Sequence, residues 1–425
     1  MRILHVSEYR LGNGAAVAAH RLMVALAERG LQVEKIYIYP GGDKTASAFP
    51  ENCIEEDGGA FQKLRDRVRF RLHERLSMSR FPPLAEWSAR RLLSPFYRKN
   101  ARAIQHDAIQ GGFDAIHFHN VSLMLGHEDI ARLSREFPIV WSMHDCHAAH
   151  GYAYRYAIDG GAVRTDPPTR LLRSIRTPRR WYRRAGTIAL VSPSCWLAEE
   201  APLHGPPVSV IPYGVPGGDF FPIAQAEARA ALGIPADGRL KVLAIAGDLR
   251  HPRKNFAVVA DCMKSLRNEP VDFLCLGNAD EEFRRAHPSA TFLGFASTSE
   301  RLRQAYSAAD VTVVPSLIDN LPNTAIESLL CGTPVAGSNA GGIPDIVIPG
   351  ETGWLFDPRN SEQLAAILKR LSGHPAEHRT LAGGCADTAA ARYGSGLQAD
   401  RMVALYADLI ARHQRAGLPP SGQGQ

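Results

Sequence analysis

The sequence predicts an α/β protein in which two doubly wound parallel sheets follow one another along the chain. Short apolar runs of strand length alternate almost throughout with longer segments of helical composition, which is typical of βαβ units. These runs fall into two series, separated by a segment rich in proline and glycine. The length of 425 residues, 45% of them hydrophobic, is sufficient for two domains that each bury a core.

The first series starts at the amino terminus. An apolar run predicts a strand at residues 1–6, and a helix predicted at residues 15–28 stops at Gly30, a residue that readily closes helices. The next apolar run predicts a strand at residues 33–39. The later strands of this half are predicted at residues 115–119, 139–143, 188–191 and 208–211.

The second series repeats the alternation. Segments of helical character, such as residues 255–268 and 324–331, separate its apolar runs. Its strands are predicted at residues 240–246, 271–276, 291–293, 311–314 and 333–336.

The boundary between the two halves is expected near residues 206–222, where five prolines and three glycines disfavour both helix and central strand. The prediction is a Rossmann-like domain at residues 1–213 and a second at residues 214–395. A last helix and a frayed tail, residues 396–425, can pack back on the first domain.

The charge balance excludes some classes of protein. Lys and Arg number 49 against 43 Asp and Glu, a net charge of +6, so a wholly basic nucleic-acid coat protein is excluded and no nucleic-acid partner is expected. Residues 60–103 and 164–184 hold most of the basic excess. The seven cysteines are scattered without a CxxC pair, which argues against a disulfide framework.

The sequence favours a cytoplasmic protein. No apolar run approaches the ~20 residues that cross a bilayer, and the start has no basic leader segment. Residues 61–80 alternate arginine with apolar side chains, so the basic segment 61–103 suits either an anionic membrane surface, on its inner face, or an ordinary helix on the flank of the domain. Both interpretations stay open.

Ligands of open α/β proteins lie at the carboxyl ends of the strands, so the loops that follow strands are the first candidates. Asn13 and Gly14 follow the first strand, where small residues let backbone amides approach a diphosphate, although a plain turn explains them equally well. Arg250, Arg253 and Lys254 follow the first strand of the second series and suit phosphate, with a solvated basic loop as the alternative.

Histidines are concentrated after two other strands. His144 and Asp145 follow an apolar run, where a group that contacts a sugar or does catalysis is expected. A metal site is the less favoured alternative, because His117 and His119 lie on one strand while metal ligands usually come from several. A buried structural role for His117 is also open. The other histidines of this region are His127, His147 and His150.

The most specific segment is residues 314–335. Asp319 follows a strand, a loop intervenes, and Glu327 is expected in the first turn of the next helix, with seven residues between the two carboxylates. Two carboxylates placed in this way can accept hydrogen bonds from the hydroxyls of a sugar and a ribose, while amides at the helix start meet a phosphate.

This segment resembles the hallmark of the family 4 glycosyltransferases of the GT-B fold, in which two glutamates with seven residues between them precede a helix and a Gly-Thr-Pro-Val strand. The resemblance covers most of the chain in the order and spacing of its motifs. They are the glycines at 12–14, Trp-Ser-Met-His-Asp at 141–145, Val-Ser-Pro-Ser at 191–194, Ile-Pro-Tyr-Gly-Val at 211–215, the basic loop that ends at residue 254, and Gly-Gly-Ile-Pro-Asp at 341–345.

The resemblance implies a cleft between an acceptor-binding first domain and a donor-binding second domain. It implies catalytic roles for His144, Asp319 and Glu327. It also implies that Glu327 binds the nucleotide ribose and that Asp319 binds the transferred sugar. The implied donor-binding residues are Gly14, Arg250, Arg253, Lys254, Asn320, Leu321, Asn323, Thr324 and Glu327. The implied acceptor-binding residues are Asn13, His119 and Asp145.

Three positions depart from the family pattern. Asp319 is one methylene shorter than the usual glutamate, Pro322 stands where glycine is frequent, and Asn255 follows Lys254 where glycine is usual. Pro322 removes one N–H from a loop that is expected to donate to phosphate.

The implied reaction moves a sugar from a nucleotide-sugar donor to a hydroxyl of a glycan or lipid-linked glycan, with retained anomeric configuration. No Asp-x-Asp motif is evident, so no metal or other cofactor is expected. The cations Arg250 and Lys254 take that role, with Arg253 in place of Arg250 if the loop register differs. A sugar-nucleotide epimerase and a non-catalytic sugar-nucleotide-binding relative are the alternatives. The first 213 residues hold 29 Lys and Arg against 21 Asp and Glu, which favours an anionic acceptor or surface.

Overall fold

The computed structural model describes residues 1–7, 14–37, 97–121, 124–150, 157–159, 162–164, 179–201 and 205–417. The chain divides into two compact units. The first consists of residues 1–156, 165–211 and 398–425, and the second of residues 157–164 and 212–397.

The first unit is built on a parallel sheet of six strands. The strands are β1 (Arg2–Ser7), β2 (Gln32–Tyr37), β3 (Ala115–Phe118), β4 (Ile139–Ser142), β7 (Ile188–Ser192) and β8 (Val208–Val210). Their spatial order is β2-β1-β3-β4-β7-β8, so the chain crosses over between neighbouring strands as βαβ units require. The register pairs His5 of β1 with His117 of β3.

Helices cover this sheet. Ile3, Leu22, Met402 and Tyr406 belong to one buried apolar cluster, which joins the sheet to the first helix and to the last. The last helix therefore packs in the first unit. The helices are α1 (Gly14–Ala27), α2 (residues 97–110), α3 (His127–Leu133), α4 (His147–His150), α5 (Arg179–Tyr182), α6 (Cys195–Glu199) and, from residue 398 onward, α14 (Ser395–Arg415).

The second unit has its own parallel sheet of six strands. The strands are β9 (Leu240–Asp248), β10 (Val271–Asn278), β11 (Ala290–Gly294), β12 (Val311–Val314), β13 (Val335–Ser338) and β14 (Gly353–Phe356). Their spatial order is β11-β10-β9-β12-β13-β14. The antiparallel pair β5 (Ala157–Asp159) and β6 (Ala162–Arg164) clusters with this unit.

The helices of the second unit enclose a core of mainly β-branched and aliphatic side chains, which includes Val242, Val259, Val313 and Leu368. Both faces of the sheet are buried, as the continuous apolar strands predict. The helices are α7 (Gln225–Leu232), α8 (Phe256–Ser265), α9 (Glu281–Ala286), α10 (Ser299–Ala308), α11 (Asn323–Leu330), α12 (Ser361–Gly373) and α13 (Pro375–Tyr393), with 3₁₀ turns at Pro252–Lys254 and Ile343–Asp345.

The predicted fold class, two doubly wound parallel sheets in tandem, is confirmed. The short strand β14 and the β5–β6 pair were not predicted from the sequence. No helix in the described part of the chain has the length and apolar character needed to cross a membrane. The basic segment 61–103 lies outside the described residues up to residue 96, as does most of the segment 164–184.

Candidate functional site

The carboxyl ends of two neighbouring strands bring the basic loop to the acidic loop in the second unit. Strand β9 pairs directly with β12, so the chain segments that leave these strands start side by side. After β9 the chain makes the 3₁₀ turn Pro252–Lys254, and after β12 it continues to Asp319. The backbone N–H of Leu317 donates to the carbonyl of Arg253 at 2.9 Å, which joins the two loops.

Two cations meet at the carboxylate of Asp319. Arg253 Nη1 lies 2.7 Å from Oδ1, and Lys254 Nζ lies 2.6 Å from Oδ2. The hydroxyl of Ser316 donates to Oδ2 at 3.2 Å. Burial raises the pKa of Asp319, but the charges of Lys254 and Arg253 outweigh it and hold this pKa at about 2. Asp319 is therefore ionised at neutral pH, and the cluster has a net positive charge.

Asn255 fixes the end of the basic loop. Its φ of 53° lies in the left-handed region, which explains why glycine suits this position and why asparagine can replace it. The side-chain Nδ2 donates to the carbonyls of Pro315, at 3.0 Å, and of Pro358, at 2.7 Å. Asparagine thus adds two hydrogen bonds that glycine cannot make.

Gly341 lets a second loop pass close to Asp319. It has a φ of +59°, and a Cβ atom built there would lie 2.1 Å from the carbonyl oxygen of Asp319. The next residue, Gly342, donates its backbone N–H to that same carbonyl at 2.9 Å. A side chain at residue 341 would therefore push this backbone away from the cation cluster.

The helix that follows holds the second carboxylate. Helix α11 begins at Asn323, so the expectation that Glu327 lies in the first turn is wrong, and it lies in the second. The reason is that Pro322 occupies the N-cap and its carbonyl accepts from the N–H of Ala325 at 3.0 Å. Glu327 is buried, and the hydroxyl of Tyr306 donates to its Oε2 at 3.1 Å.

The rest of the predicted donor loop lies between these two carboxylates. Asn320 and Leu321 are buried, whereas Asn323 and Thr324 are half-buried at the start of α11. Because Pro322 precedes the helix, its missing N–H lies outside the first turn, where Asn323 and Thr324 supply the first two backbone N–H groups.

Arg250 does not join this cluster. Its guanidinium contacts the carboxylates of Asp280 and, at 3.9 Å, of Asp248, and its side chain is 54% exposed. The structure thus brings together Arg253, Lys254 and Asp319, and it places Arg250 in a separate exposed ion pair.

The histidine-rich segments of the first unit meet at the ends of β3 and β4. His119, His144 and Asp145 line a small recess together with Trp141, Ser142 and His147. His119 Nδ1 lies 3.1 Å from His144 Nε2, and Asp145 accepts the backbone N–H of His147 at 2.8 Å. Gly14 is the first residue of α1, and Asn13 lies outside the described residues.

The buried neighbours of this recess are histidines as well. His117 is fully buried, with Tyr406 Oη 2.6 Å from its Nδ1 and Ser142 Oγ 2.8 Å from its Nε2. Among the described residues, His5, His117 and His119 form a group whose ring nitrogens lie within 4.8 Å of one another and could hold a metal ion. Sequence reasoning missed His5, because it lies inside an apolar strand.

Among known proteins, the family match lies entirely in the second unit. Residues 240–374, which include the whole cation cluster, match the family model described as Glycosyl transferases group 1. A D-inositol 3-phosphate glycosyltransferase from Thermobispora bispora is 33% identical over 233 residues, or 50% of this chain and 53% of that protein. One from Streptosporangium roseum is 30% identical over 222 residues, or 48% and 50%. The chain spans about half the length of these curated relatives.

Solved structures match over nearly the whole chain. Sucrose-phosphate synthase from Thermosynechococcus elongatus superposes with a TM-score of 0.71 at 22% identity, covering 97% of this chain and 100% of that one. The chain has the GT-B fold. HepE from Anabaena in complex with UDP has a TM-score of 0.65 at 16% identity, covering 96% and 100%. Its complex with UDP-glucose has a TM-score of 0.64 at 15% identity, covering 96% and 100%.

Proposed function

We propose that this protein is a family 4 glycosyltransferase that moves a sugar from a nucleotide-sugar donor to a hydroxyl of a glycan or lipid-linked glycan. The observation that supports this most is the meeting of Arg253, Lys254 and Asp319 at the carboxyl edge of a parallel sheet. All three residues lie within the segment that matches group 1 glycosyl transferases.

The donor side follows from the charges of this cluster. Arg253 can bind two phosphate oxygens with its planar guanidinium, and Lys254 supplies a compact second charge. Together they suit a diphosphate, with the N–H groups at the start of α11 as further donors. Arg250, outside the cluster, has at most a role in steering the donor. A UDP-sugar is the first donor to test, because HepE has been solved with UDP and with UDP-glucose.

The two carboxylates divide the hydroxyls of the donor between them in this proposal. Asp319 lies beside the cations that hold the diphosphate, so it accepts hydrogen bonds from the transferred sugar. Glu327, in the second turn of α11, accepts hydrogen bonds from the ribose. Because the pKa of Asp319 is about 2, this residue remains an acceptor throughout the neutral pH range.

The chemical step is a substitution at the anomeric carbon. The bond from this carbon to the diphosphate oxygen breaks, a bond to the acceptor oxygen forms, and the hydroxyl proton is released with the nucleoside diphosphate. Arg253 and Lys254 stabilise the charge that builds on the leaving group, which removes the need for a metal ion. We propose that the anomeric configuration is retained, and we assign no nucleophile.

The acceptor side of the proposal rests on the first unit. His144, Asp145 and His119 line its recess and offer polar groups to a sugar hydroxyl. The basic excess of residues 1–213 favours an anionic acceptor, or an anionic lipid surface that presents it from the cytoplasmic side. Co-sedimentation of the full chain with vesicles tests the surface: binding that ignores both anionic lipid and salt would remove this part of the proposal.

A screen of nucleotide sugars tests the activity directly. Thermal shift with each nucleotide sugar identifies the donor that stabilises the chain, and turnover with that donor is then followed with glycan and lipid-linked acceptors. Incubation with the donor alone separates an epimerase, which would yield an isomerised sugar nucleotide. Excess chelator is expected to leave transfer unchanged. Inhibition that a divalent ion reverses would instead revive a metal role for His5, His117 and His119.

A further inference from the structure

Three imidazoles of the first unit form a continuous hydrogen-bonded row from the core of the sheet to the recess. His5 Nδ1 lies 2.9 Å from His119 Nε2, and His119 Nδ1 lies 3.1 Å from His144 Nε2. His5 is fully buried and His119 is 2% exposed, whereas His144 lines the recess. The row therefore connects a buried strand to a residue with a proposed catalytic role.

The sheet fixes the inner part of this row. Register places His5 of β1 beside β3, and the backbone N–H of His119 donates to the carbonyl of Val6 at 3.0 Å. The ring of His117 stacks on that of His119 at 4.2 Å between centroids and lies 4.8 Å from that of His5. Packing on this scale leaves the rings of His5 and His119 little freedom to turn.

The hydrogen bonds couple the proton positions of the three rings. A neutral imidazole has one N–H donor and one acceptor nitrogen, and His119 uses both of its nitrogens in the row. The row therefore has only two neutral arrangements, with all protons directed toward His144 or all directed toward His5. In each of them the tautomer of His5 determines that of His119, which determines that of His144.

The ring of His117, which stacks on the row, lies in surroundings that disfavour a charge. Burial lowers the pKa of His117 well below its ordinary value, and the neighbouring His5 and His144 lower it further. Among the described residues, the groups that hydrogen-bond to His117 are the hydroxyls of Ser142 on β4 and Tyr406 on α14, and burial raises the pKa of Tyr406 well above its usual range. An extra proton on His117, beside the row, is thus disfavoured.

We propose that His119 and His5 are positioning residues for His144. Through the two hydrogen bonds they hold the ring of His144 at the recess and make its tautomer depend on the tautomers of His119 and His5. This role rests on the proposed function, in which His144 contacts the transferred sugar or the acceptor. It adds His5, a residue with no predicted role, to the machinery of the reaction.

Asparagine and glutamine variants separate positioning from packing. Asparagine can place an amide near the Nδ1 position of a histidine, and glutamine near the Nε2 position. His5→Asn therefore keeps the bond to His119 that His5→Gln loses. Likewise His119→Asn keeps the bond to His144, whereas His119→Gln loses it. If only packing mattered, the glutamine variants would keep more activity than the asparagine variants at both positions, because glutamine is closer than asparagine to the volume of histidine.

The experiment measures kcat and the donor KM of the full chain with the best donor for all four variants. We expect kcat to fall about tenfold or more in His5→Gln and His119→Gln. The kcat of His5→Asn should stay near that of the wild type, and the kcat of His119→Asn should lie between those of the wild type and His119→Gln. The donor KM is expected to change less than kcat, since the proposed contacts to the diphosphate and the ribose lie in the second unit. Equal losses in the asparagine and glutamine variants, or milder losses in the glutamine variants, would overturn the inference.

A second readout does not need turnover. Nitrogen NMR of histidine-labelled protein without ligand reports which ring nitrogen of His144 is protonated, with His144→Gln used to assign the signal. The populations of the two His144 tautomers are expected to shift from those of the wild type more in His5→Gln than in His5→Asn, because only His5→Gln breaks the row. Unchanged populations in His5→Gln would overturn the inference. If the populations shift in His5→Gln but the wild type transfers no sugar from any donor, the proposed function fails and the coupling of the row stands.

Discussion

Replacing Asp319 by asparagine removes the carboxylate on which Arg253 and Lys254 converge. The side chain of Asp319 is 13% exposed, so solvent screens this cluster weakly. In spite of burial, the two cations bring its pKa from 3.8 to about 2, and a difference of this size corresponds to about 2 kcal/mol of folding free energy. Because the pKa is lower in the folded state, this stabilisation is fully present above pH 3.8 and is lost as the pH falls through 2.

Thermal unfolding measures this cost. For a domain of this size about 1 kcal/mol changes Tm by roughly 2–4 °C, so Asp319→Asn is expected to lower the Tm of the second unit by about 4–8 °C at pH 7. The difference from the wild type should narrow as the pH approaches 3. Asp261→Asn is the matched control, because its 57% exposed carboxylate pairs with Lys264 within one helix and its loss should change Tm by about 1 °C or less. An unchanged Tm in Asp319→Asn at pH 7 would refute the electrostatic account of this cluster.

Substitutions at three further residues test neighbouring parts of the site. Asn255→Gly loses two hydrogen bonds but fits a φ of 53°, whereas Asn255→Ala loses the same bonds and adds backbone strain. In urea unfolding, the free energy of unfolding should fall by about 2 kcal/mol in the glycine variant and by about 3 kcal/mol in the alanine variant. Equal losses would contradict the backbone argument. Gly341→Ala places Cβ 2.1 Å from the Asp319 carbonyl oxygen and should weaken UDP binding in calorimetry at least tenfold. Gly350→Ala, with a φ of +83° and no atom within 4 Å of its Cβ, should leave binding within twofold, so equal effects would rule out the steric reason. Glu327→Gln should raise the donor KM about tenfold with an unchanged circular dichroism spectrum, and an unchanged KM would remove Glu327 from the ribose.

The edge of the second sheet could be predicted because apolar runs reveal where strands end. Lys254 and Asp319 both follow such runs, and parallel strands bring their carboxyl ends to one edge of the sheet. The sequence alone did not show whether Arg250 or Arg253 contacts Asp319. It depends on the 3₁₀ turn Pro252–Lys254 and on the left-handed Asn255, which direct Arg253 to Asp319 while Arg250 contacts Asp280.

The buried histidine row could not be predicted for a different reason. His5 lies in an apolar strand, and 114 residues separate it from its partner His119. Only the register between β1 and β3 brings the two rings together, and strands that are buried on both faces do not specify this register through their apolar pattern. His117 and Tyr406 are 289 residues apart, and only the packing of α14 in the first unit brings them together.

The central claim is that the cation cluster of the second unit binds the diphosphate of a sugar donor. Lys254→Ala, with the donor that stabilises the wild type most, tests it directly against Lys264→Ala, whose ammonium is 77% exposed and pairs with Asp261. Transfer is expected to fall at least hundredfold in Lys254→Ala and to stay within twofold of the wild type in Lys264→Ala. Near-wild-type turnover in a folded Lys254→Ala protein would contradict the claim.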